Sequence, residues 1–242
     1  MRKLSASDIK HIKALSGKKT RDESRSFIVE GEKMLSEALN SGFELLASYK
    51  TEDIGEAQMS RISSLSSPSP VLGILRMPDS SSLPELKNNG LYLALDSVRD
   101  PGNLGTIIRI CDWFGVDGIF ASEDCVDQFN PKVVQASMGS IFRKTVIYTD
   151  LEHLCHLFLD KGLPVYATLL NGKNIYESEL KPSGLILMGN ESRGVSEPLR
   201  RLYTDALLIP SFAQGTHAES LNVAVATALT LSEFKRRERY EK

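Results

Sequence analysis

Three segments of the sequence place charged or amide side chains beside glycines at spacings that could hold an anionic ligand. They are residues 95–115 (LDSVRDPGNLGTIIRICDWFG), 185–199 (LILMGNESRGVSEPL) and 209–234 (IPSFAQGTHAESLNVAVATALTLSEF). In the first segment, Arg109 could contact an anion beside a loop. In the second, Glu191 lies in a polar triplet between two glycines, which let the backbone come close to a ligand. In the third, Ser220 and Asn222 are polar residues at the start of an apolar helix.

Each of these side chains also has a purely structural interpretation. Arg109 could form a surface ion pair with Asp112 three residues later on the same helix. Glu191 could hydrogen-bond locally in a turn, and Ser220 and Asn222 could simply cap their helix. The first segment is neither a P-loop nor a dinucleotide fingerprint, because no GK[ST] follows and its only glycines before the helix interior are three apart. A nucleotide- or NAD-binding enzyme is therefore the weaker alternative.

The region that contains the three segments alternates apolar strands with helices. Strands are predicted over 91–95, 118–121, 165–170, 184–188 and 206–209, and helices over 104–114, from Pro131, over 150–161, from near Ser196 and over 221–234. This alternation is typical of an α/β fold with a mostly parallel sheet covered on both faces. Open sheets of this kind bind ligands at the carboxyl ends of the strands. Because all three segments begin there, we expect them to line one cleft.

The first third of the chain predicts a smaller α/β unit. Helices are expected over 7–15, 32–40 and, more weakly, 56–65, and strands over 27–29, 45–49 and 71–75. The stretch PDSSSLPELKNNG that follows is rich in Pro, Ser, Asn and Gly, as linkers are. The expected organisation is a domain over 1–80, a linker over 81–90 and a domain over 91–242.

Composition excludes several classes of protein. The 242 residues carry 29 Lys+Arg against 31 Asp+Glu, and 41% are hydrophobic, which argues for an ordered globular protein rather than a nucleic-acid coat. The positive charge is concentrated at the ends: residues 1–25 hold eight basic and three acidic residues, and residues 235–242 hold five and two. These termini are either solvated surfaces or contacts for an anionic partner.

Cysteine usage and hydropathy predict the compartment. Cys111, Cys125 and Cys155 form no CxxC pair and no ligand spacing, so neither a disulfide framework nor a metal site is expected. The start has no signal-peptide core, and no apolar run is long enough to cross a membrane. We therefore expect a cytoplasmic protein with reduced thiols.

The three segments resemble the three motifs of the SpoU (TrmH-type) RNA ribose 2′-O-methyltransferases of the SPOUT superfamily. The first motif matches Asn103, Gly105, Arg109, Phe114 and Gly115; the second matches Gly189, Glu191 and Gly194; the third matches Ile209, Pro210, Ser220, Leu221, Asn222, Val223, Val225 and Ala226. FIVEGEKMLSEAL near the N-terminus resembles the substrate-binding domain of ribosomal RNA members. The loop from Ile209 to Leu221 is longer than the family's usual form and lacks its Met; His217 within it is interpreted as a loop histidine rather than a base.

The resemblance implies a C-terminal trefoil knot, a homodimer with the RNA site at the subunit interface, and S-adenosylmethionine (AdoMet) as cofactor. By the same resemblance, the cofactor would be held at Thr168, Leu169, Gly189, Asn190, Gly194, Ile209 and Leu221. The substrate would be RNA, with ribosomal RNA favoured by the N-terminal domain. The alternatives are a transfer RNA substrate and a non-catalytic RNA-binding member of the fold.

Family accounts give the arginine that matches Arg109 a central role, sometimes as a base. A guanidinium stays protonated in proteins, so we expect Arg109 to clamp the phosphate beside the target ribose and to stabilise negative charge. Asn103 and Glu191 are expected to hold Arg109 and its loop, and Ser220 and Asn222 to orient the hydroxyl. The basic residues expected to contact RNA are Arg21, Arg25, Arg143 and Lys144.

Overall fold

Two separate sheets organise the chain in the computed structural model, which describes residues 4–79, 83–216 and 218–240. The strands are β1 (Ser26–Glu30), β2 (Leu45–Lys50), β3 (Val71–Arg76), β4 (Leu91–Leu95), β5 (Gly118–Ala121), β6 (Val146–Tyr148), β7 (Val165–Asn174), β8 (Gly184–Met188) and β9 (Asp205–Leu208). The helices are α1 (Ala6–Ala14), α2 (Lys18–Ser24), α3 (Glu32–Asn40), α4 (Thr51–Ile54), α5 (Glu56–Ile62), α6 (Pro101–Trp113), α7 (Pro131–Ser137), α8 (Leu151–Asp160) and α9 (Val223–Tyr240). Short 3-10 helices cover Ser140–Phe142 and Pro198–Arg201.

The larger sheet has six parallel strands in the order β6-β5-β4-β8-β7-β9. Side chains on β4 alternate between two cores: Leu93 and Leu95 pack with the buried residues of α6, α7 and α9, and Tyr92 and Ala94 pack with those of α8. Because both faces are covered, the inner strands are apolar at every position. The predicted α/β fold with a mostly parallel sheet is thus confirmed.

The smaller sheet belongs to the N-terminal unit, residues 4–79, and is antiparallel in the order β1-β3-β2. One face packs against α1 and α5 in a core of its own, which includes Ile12 and Ile28. The other face carries Phe27 and Val29, and these residues belong to the same core as α6 and α7. All five residues of β1 are therefore buried.

Aromatic side chains join the N-terminal unit to the segment between β5 and β6. The ring of Phe27 lies 4.7 Å from that of Phe129, and the ring of Phe43 lies 5.2 Å from that of Phe142. Since these rings sit in one continuous apolar core, the two sheets do not belong to independently packed bodies.

A buried ion pair reinforces this junction. Arg21 is only 1% exposed, and its guanidinium donates to the carboxylate of Asp127 and to the carbonyl oxygens of Leu15 and Ser16. The carboxylate partner lies in the parallel-sheet unit, 106 positions away in the chain. Arg21 thus ties α2 to the loop before α7.

The predicted linker is held against the larger sheet where it is described. Residues 81 and 82 lie outside the described residues. Beyond them, Leu86 is buried in the core on the α8 side, and the Lys87 ammonium lies 3.1 Å from the Asp117 carboxylate. The backbone amide of Lys87 also donates to the hydroxyl of Tyr92.

Three local features differ from the sequence prediction. The helix predicted from near Ser196 is wrong: the chain forms only the 3-10 turn Pro198–Arg201, because the Ser196 amide is held by the Asp96 carboxylate and β9 begins soon afterwards. Helix α6 begins three residues before the predicted start, with Asp100 as its cap and proline at its first position. The sequence prediction also omitted β6, which has only three residues.

No helix among the described residues is long and apolar enough to span a membrane.

The Arg21 ion pair generates a stability prediction. Arg21→Met should lower the free energy of unfolding by about 3–5 kcal/mol, because it leaves the buried Asp127 carboxylate without its cation. Urea unfolding followed by circular dichroism measures this. The matched control is Arg25→Met, whose guanidinium is solvent-exposed and should contribute less than about 1 kcal/mol. Equal losses in the two variants would contradict the assignment.

Candidate active site

The loops after β4 and β8 start side by side, because the two strands are parallel neighbours with Leu95 opposite Met188. The backbone amide of Asp96 donates to the Met188 carbonyl at 2.9 Å. The Asn190 side chain donates to the Ser97 carbonyl at 2.8 Å, so each loop holds the other. This pairing fixes the floor of the cleft that the sequence predicts.

The β4 loop is further fixed by polar bonds on its outer side. Ser97 has a positive φ of 58°, and its hydroxyl donates to the Asp124 carboxylate at 2.7 Å. Arg99 forms an ion pair with the same carboxylate at 2.7 Å. Hydrogen bonds from Arg99, and secondarily from Ser122 and Ser97, lower the pKa of Asp124 to about 2. The Asp124 carboxylate is therefore ionised well into the acidic pH range and continues to accept these hydrogen bonds there.

A chain of side-chain hydrogen bonds joins all three segments singled out in the sequence. The Asn103 amide nitrogen donates to the Glu191 carboxylate at 2.7 Å. The Asn103 amide oxygen accepts from the Asn222 side chain at 2.9 Å. The convergence of the three segments predicted from strand order is present, and Asn103 lies at its centre.

Helix capping places two members of this hydrogen-bond chain, Asn103 and Asn222. The Asp100 carboxylate accepts from the Asn103 backbone amide at 2.8 Å and so begins α6. The Asn222 side-chain oxygen accepts from the amides of Ala224 and Val225, at 2.9 and 3.3 Å, and so begins α9. The capping role considered for Ser220 belongs to Asn222.

Arg109 does not join this chain. It follows Asn103 by six residues on α6, which places it about 120° away around the helix axis. Its side chain is exposed, and it makes no hydrogen bond or ion pair with any residue that the structure describes. The expectation that Asn103 and Glu191 hold Arg109 is therefore wrong for contacts within one chain.

The structural alternative for Arg109 is also wrong. Asp112 does not pair with Arg109; it forms an ion pair with Arg143 at 2.8 Å. Arg109 is thus a solvent-facing cation without a carboxylate partner in the described part of the chain, which suits a role toward an anion.

Steric and backbone constraints require glycine at positions 189 and 194 of the second segment. A side chain at Gly189 would bring its Cβ within 2.3 Å of the Gly194 carbonyl carbon. Asn190 and Gly194 exchange backbone hydrogen bonds at 3.0 and 2.9 Å, which close the loop tightly. Gly194 has a φ of 68°, a conformation that side chains disfavour. These two glycines allow the Glu191 loop to fold back on itself.

The residues predicted to hold a cofactor lie within β7, on the loop after β8, directly after β9 and just before α9. The Thr168 hydroxyl donates to the Leu187 carbonyl at 3.1 Å, and Leu169 is half-buried against the core on the α8 side. Ile209 is half-buried at the end of β9, and Leu221 is 48% exposed. The backbone groups of Ile209 and Leu221 make no hydrogen bond with the residues described, and His217 lies outside them.

Most of the basic residues predicted to contact RNA have partners within the protein. Arg21 is buried and bonded to Asp127, so its assignment to RNA is wrong for this conformation. The Lys144 ammonium donates to the Val116 carbonyl at 2.6 Å, and Arg143 is shared between two carboxylates. Arg25 is exposed and donates to the Pro78 carbonyl.

In the basic C-terminal helix α9, Arg237 also has partners within the protein. Arg237 donates to the Glu233 carboxylate and to the backbone carbonyls of Ile175, Tyr176 and Ser178. This bonding locks the end of α9 onto the segment after β7. A count of charges along the sequence could not distinguish such a structural arginine from an RNA contact.

Two site residues, Asp96 and Asp100, had no place in the sequence prediction, and Asp112 was considered only as a partner of Arg109. Asp96 holds the Ser196 amide at 2.6 Å, Asp100 caps α6, and Asp112 takes Arg143. The signal for Asp100 is present in the sequence, because an aspartate directly before a proline is a typical helix start. Asp96 and Asp112 carry no comparable local signal.

Comparison with known proteins identifies the family. A model of the SpoU rRNA Methylase family matches residues 90–232. The chain belongs to this family. A model of the MRM3-like substrate binding domain matches residues 6–66, within the N-terminal unit. The family resemblance predicted from the three motifs is thus confirmed.

Several relatives of this SpoU methylase match it over nearly its whole length. The 23S rRNA (guanosine(2553)-2'-O)-methyltransferase RlmP of Bacillus subtilis is 32% identical over 237 residues, which cover 91% of this chain and 93% of RlmP. A putative RNA methyltransferase of the TrmH family from Porphyromonas gingivalis is 35% identical, with a TM-score of 0.85 over 97% of this chain and 99% of that one. An AdoMet-bound rRNA methyltransferase from Sinorhizobium meliloti is 32% identical, with a TM-score of 0.84 over 98% of each chain.

The tight Glu191 loop generates a prediction. Gly189→Ala should destabilise the SpoU methylase by about 1–3 kcal/mol, because the new Cβ meets backbone atoms that cannot move without opening the loop. Thermal unfolding measures the change. Gly17→Ala is the matched control, since its Cβ would make only an ordinary contact at 3.4 Å. A Gly189→Ala protein as stable as the control would show that the loop is not closed as described.

Proposed function

We propose that this SpoU methylase transfers the methyl group of AdoMet to the 2′-hydroxyl of a ribose in RNA, and that the RNA is ribosomal. The observation that carries the proposal is the Asn222–Asn103–Glu191 chain, which joins the three family motifs at the carboxyl edge of the parallel sheet. The relatives named as rRNA methyltransferases support the choice of substrate. The ribose 2′-hydroxyl itself restricts the reaction to RNA.

The residues at the strand ends fit AdoMet. Ile209 and Leu221 present apolar side chains next to backbone groups that lack partners among the described residues, a combination that suits an adenosine with an apolar ring and polar edges. We propose that these two residues, together with Thr168, Leu169 and the Gly189–Gly194 loop with Asn190, hold the cofactor. When bound, AdoMet supplies a methyl group already activated by its sulfonium.

The protein must then orient the hydroxyl and assist the loss of its proton. Both ends of the Asn222 amide are engaged, by Asn103 and by the helix cap, which makes Asn222 a structural group. Ser220 is exposed, and its hydroxyl makes no hydrogen bond in the part of the chain described. We therefore assign the contact with the ribose hydroxyl to Ser220.

Arg109 would bind the phosphate beside the target ribose. Its guanidinium stays protonated, so it stabilises negative charge that develops on the hydroxyl oxygen and does not accept the proton. The proton passes to that phosphate or to water. Arg25 and other basic residues of the two termini would add contacts with the RNA backbone.

A homodimer accounts for the distance between Arg109 and the Asn103 chain. The surface near them exposes large apolar side chains: Trp113 on α6 is 85% exposed, and Val225 and Leu229 on α9 are 49% and 38% exposed. Such clusters mark interaction sites. We propose that a second copy covers them and brings its own Arg109 to the site, so that RNA binds at the subunit interface.

Two further features belong to the proposal. The chain leaves β9 at the sheet edge, and Asn222 then meets Asn103 beside β4, on the other side of β7 and β8; we propose that the segment between them forms the trefoil knot of the family. The three cysteines are free and buried, which suits a cytoplasmic enzyme.

Substitution of Arg109 tests the reaction. Arg109→Ala should lower methylation of RNA on the order of 10²-fold while leaving the affinity for AdoMet unchanged, because Arg109 acts on phosphate and on developing charge. Arg109→Lys should recover part of the rate, since it restores the positive charge but not the planar group that can donate two hydrogen bonds to one phosphate. Incorporation of labelled methyl groups measures the first effect, and calorimetry with AdoMet measures the second. Full methylation by Arg109→Ala would sink the proposed role.

The dimer generates a separate prediction. Val225→Asp combined with Leu229→Asp should convert the protein to a monomer, because two carboxylates cannot be buried in an apolar interface. Sedimentation velocity measures the mass. Leu39→Asp is the control, since Leu39 is 42% exposed on α3 and so belongs to neither α6 nor α9. A dimer that survives both substitutions would place the interface elsewhere.

A further inference from the structure

One arginine connects the N-terminal unit to the helix that carries Arg109. The guanidinium of Arg143 lies 2.8 Å from the Asp112 carboxylate on α6 and 3.1 Å from the Glu37 carboxylate on α3. Hydrogen bonds that Arg143 donates to the carboxylates of Asp112 and, secondarily, Glu37 raise the pKa of Arg143. Arg143 itself follows the 3-10 helix between β5 and β6, so three elements meet at this one side chain.

Asp112 is the carboxylate best placed to compete with an RNA phosphate for the Arg109 guanidinium. The two residues are three apart on α6, a spacing at which side chains of opposite charge meet on a helix surface. Asp112 is the only carboxylate within α6, and α7, which packs beside it, has none. The side chain of Asp112 is 21% exposed, so it needs a cation close by.

Arg143 supplies that cation by forming an ion pair with Asp112. With its carboxylate so engaged, Arg109 is left without an ion pair in the described structure. The other nearby carboxylate, Glu37, is also held by Arg143, with the Lys33 ammonium 4.0 Å away. Asp112 and Glu37 are thus both bound by cations other than Arg109.

We propose that Arg143 is a positioning residue for Arg109: it occupies Asp112 and so keeps the Arg109 guanidinium free for an RNA phosphate. This inference rests on the role of Arg109 in the proposed function. It replaces the direct RNA contact that the sequence suggested for Arg143. Because Arg143 also binds Glu37, the freedom of Arg109 to bind a phosphate would depend on how the N-terminal unit packs against α6.

The size of the effect follows from the competition. When Arg143 is absent, Asp112 pairs with Arg109, and the RNA phosphate must displace it. Pairs of this kind on helix surfaces are weak, so the KM for RNA should rise about two- to fivefold, with little change in the affinity for AdoMet. A loss of folding or of cofactor binding would not produce this pattern.

The experiment is a double-mutant cycle on the full-length protein. Arg143→Ala should raise the KM for RNA, Asp112→Asn alone should leave it unchanged, and the combination of the two should restore it to the wild-type value. Lys161→Ala, which removes an exposed positive charge near the start of β7, controls for the loss of net charge. Urea unfolding checks that each variant is folded. Should Arg143→Ala fail to fold, Arg143→Gln, whose amide can still bond Glu37, carries the same test.

Each outcome is decisive. Restoration of the KM in the double variant supports the proposal, because a direct RNA contact by Arg143 could not be rescued by removing a carboxylate. Independent effects of the two substitutions overturn it: an Asp112→Asn variant that strengthens RNA binding equally in both backgrounds would show a general field effect. A KM unchanged by Arg143→Ala overturns it as well. Failure of the proposed function is distinguishable, since Arg109→Ala would then retain full methylation.

Discussion

The site depends on one carboxamide. Asn103 offers a donor and an acceptor at fixed positions, and the structure uses the donor for Glu191 and the acceptor for Asn222. These two partners come from loops that the chain reaches only after β8 and β9 are in place. The amide serves both partners at once, whereas a carboxylate there would lack the donor and an ammonium group the acceptor. The closure of the cleft therefore rests on the two hydrogen bonds of this one side chain.

The sequence predicts the scaffold well wherever burial is uniform. Strands 91–95 and 184–188 match to the residue, because strands covered on both faces are apolar throughout and end abruptly at polar loops. Strand β6 and the short helices α2 and α4 escape prediction, since three to seven residues carry too little periodicity. The turn at Pro198–Arg201 shows the reverse: a helix-like signal was overridden by the bond between Asp96 and Ser196.

For the site, the sequence predicts which segments meet but not which side chains bond. That three strand-end loops converge follows from parallel order alone. That Arg109 faces away from Asn103 could have been read from the helix period, because six residues are not a whole number of turns. The partners of Arg21 and Arg143 could not have been predicted in this way. Asp127 and Glu37 lie more than a hundred positions away, and ion pairs at that range leave no local pattern in the sequence. Unpaired arginines can be counted only when the fold is known.

The shared core has a consequence for synthesis of the chain. Phe27 and Phe43 emerge from the ribosome long before Phe129 and Phe142, the rings that cover them. The N-terminal sheet can pair its strands early and α3 covers part of its second face, yet Phe27 and Phe43 lack part of their cover until the segment between β5 and β6 has been translated. During that interval the nascent chain exposes an aromatic surface of the kind that chaperones bind. The order of these phenylalanines in the chain thus sets how long the aromatic surface is open to aggregation during synthesis, although the same surface is covered in the folded protein.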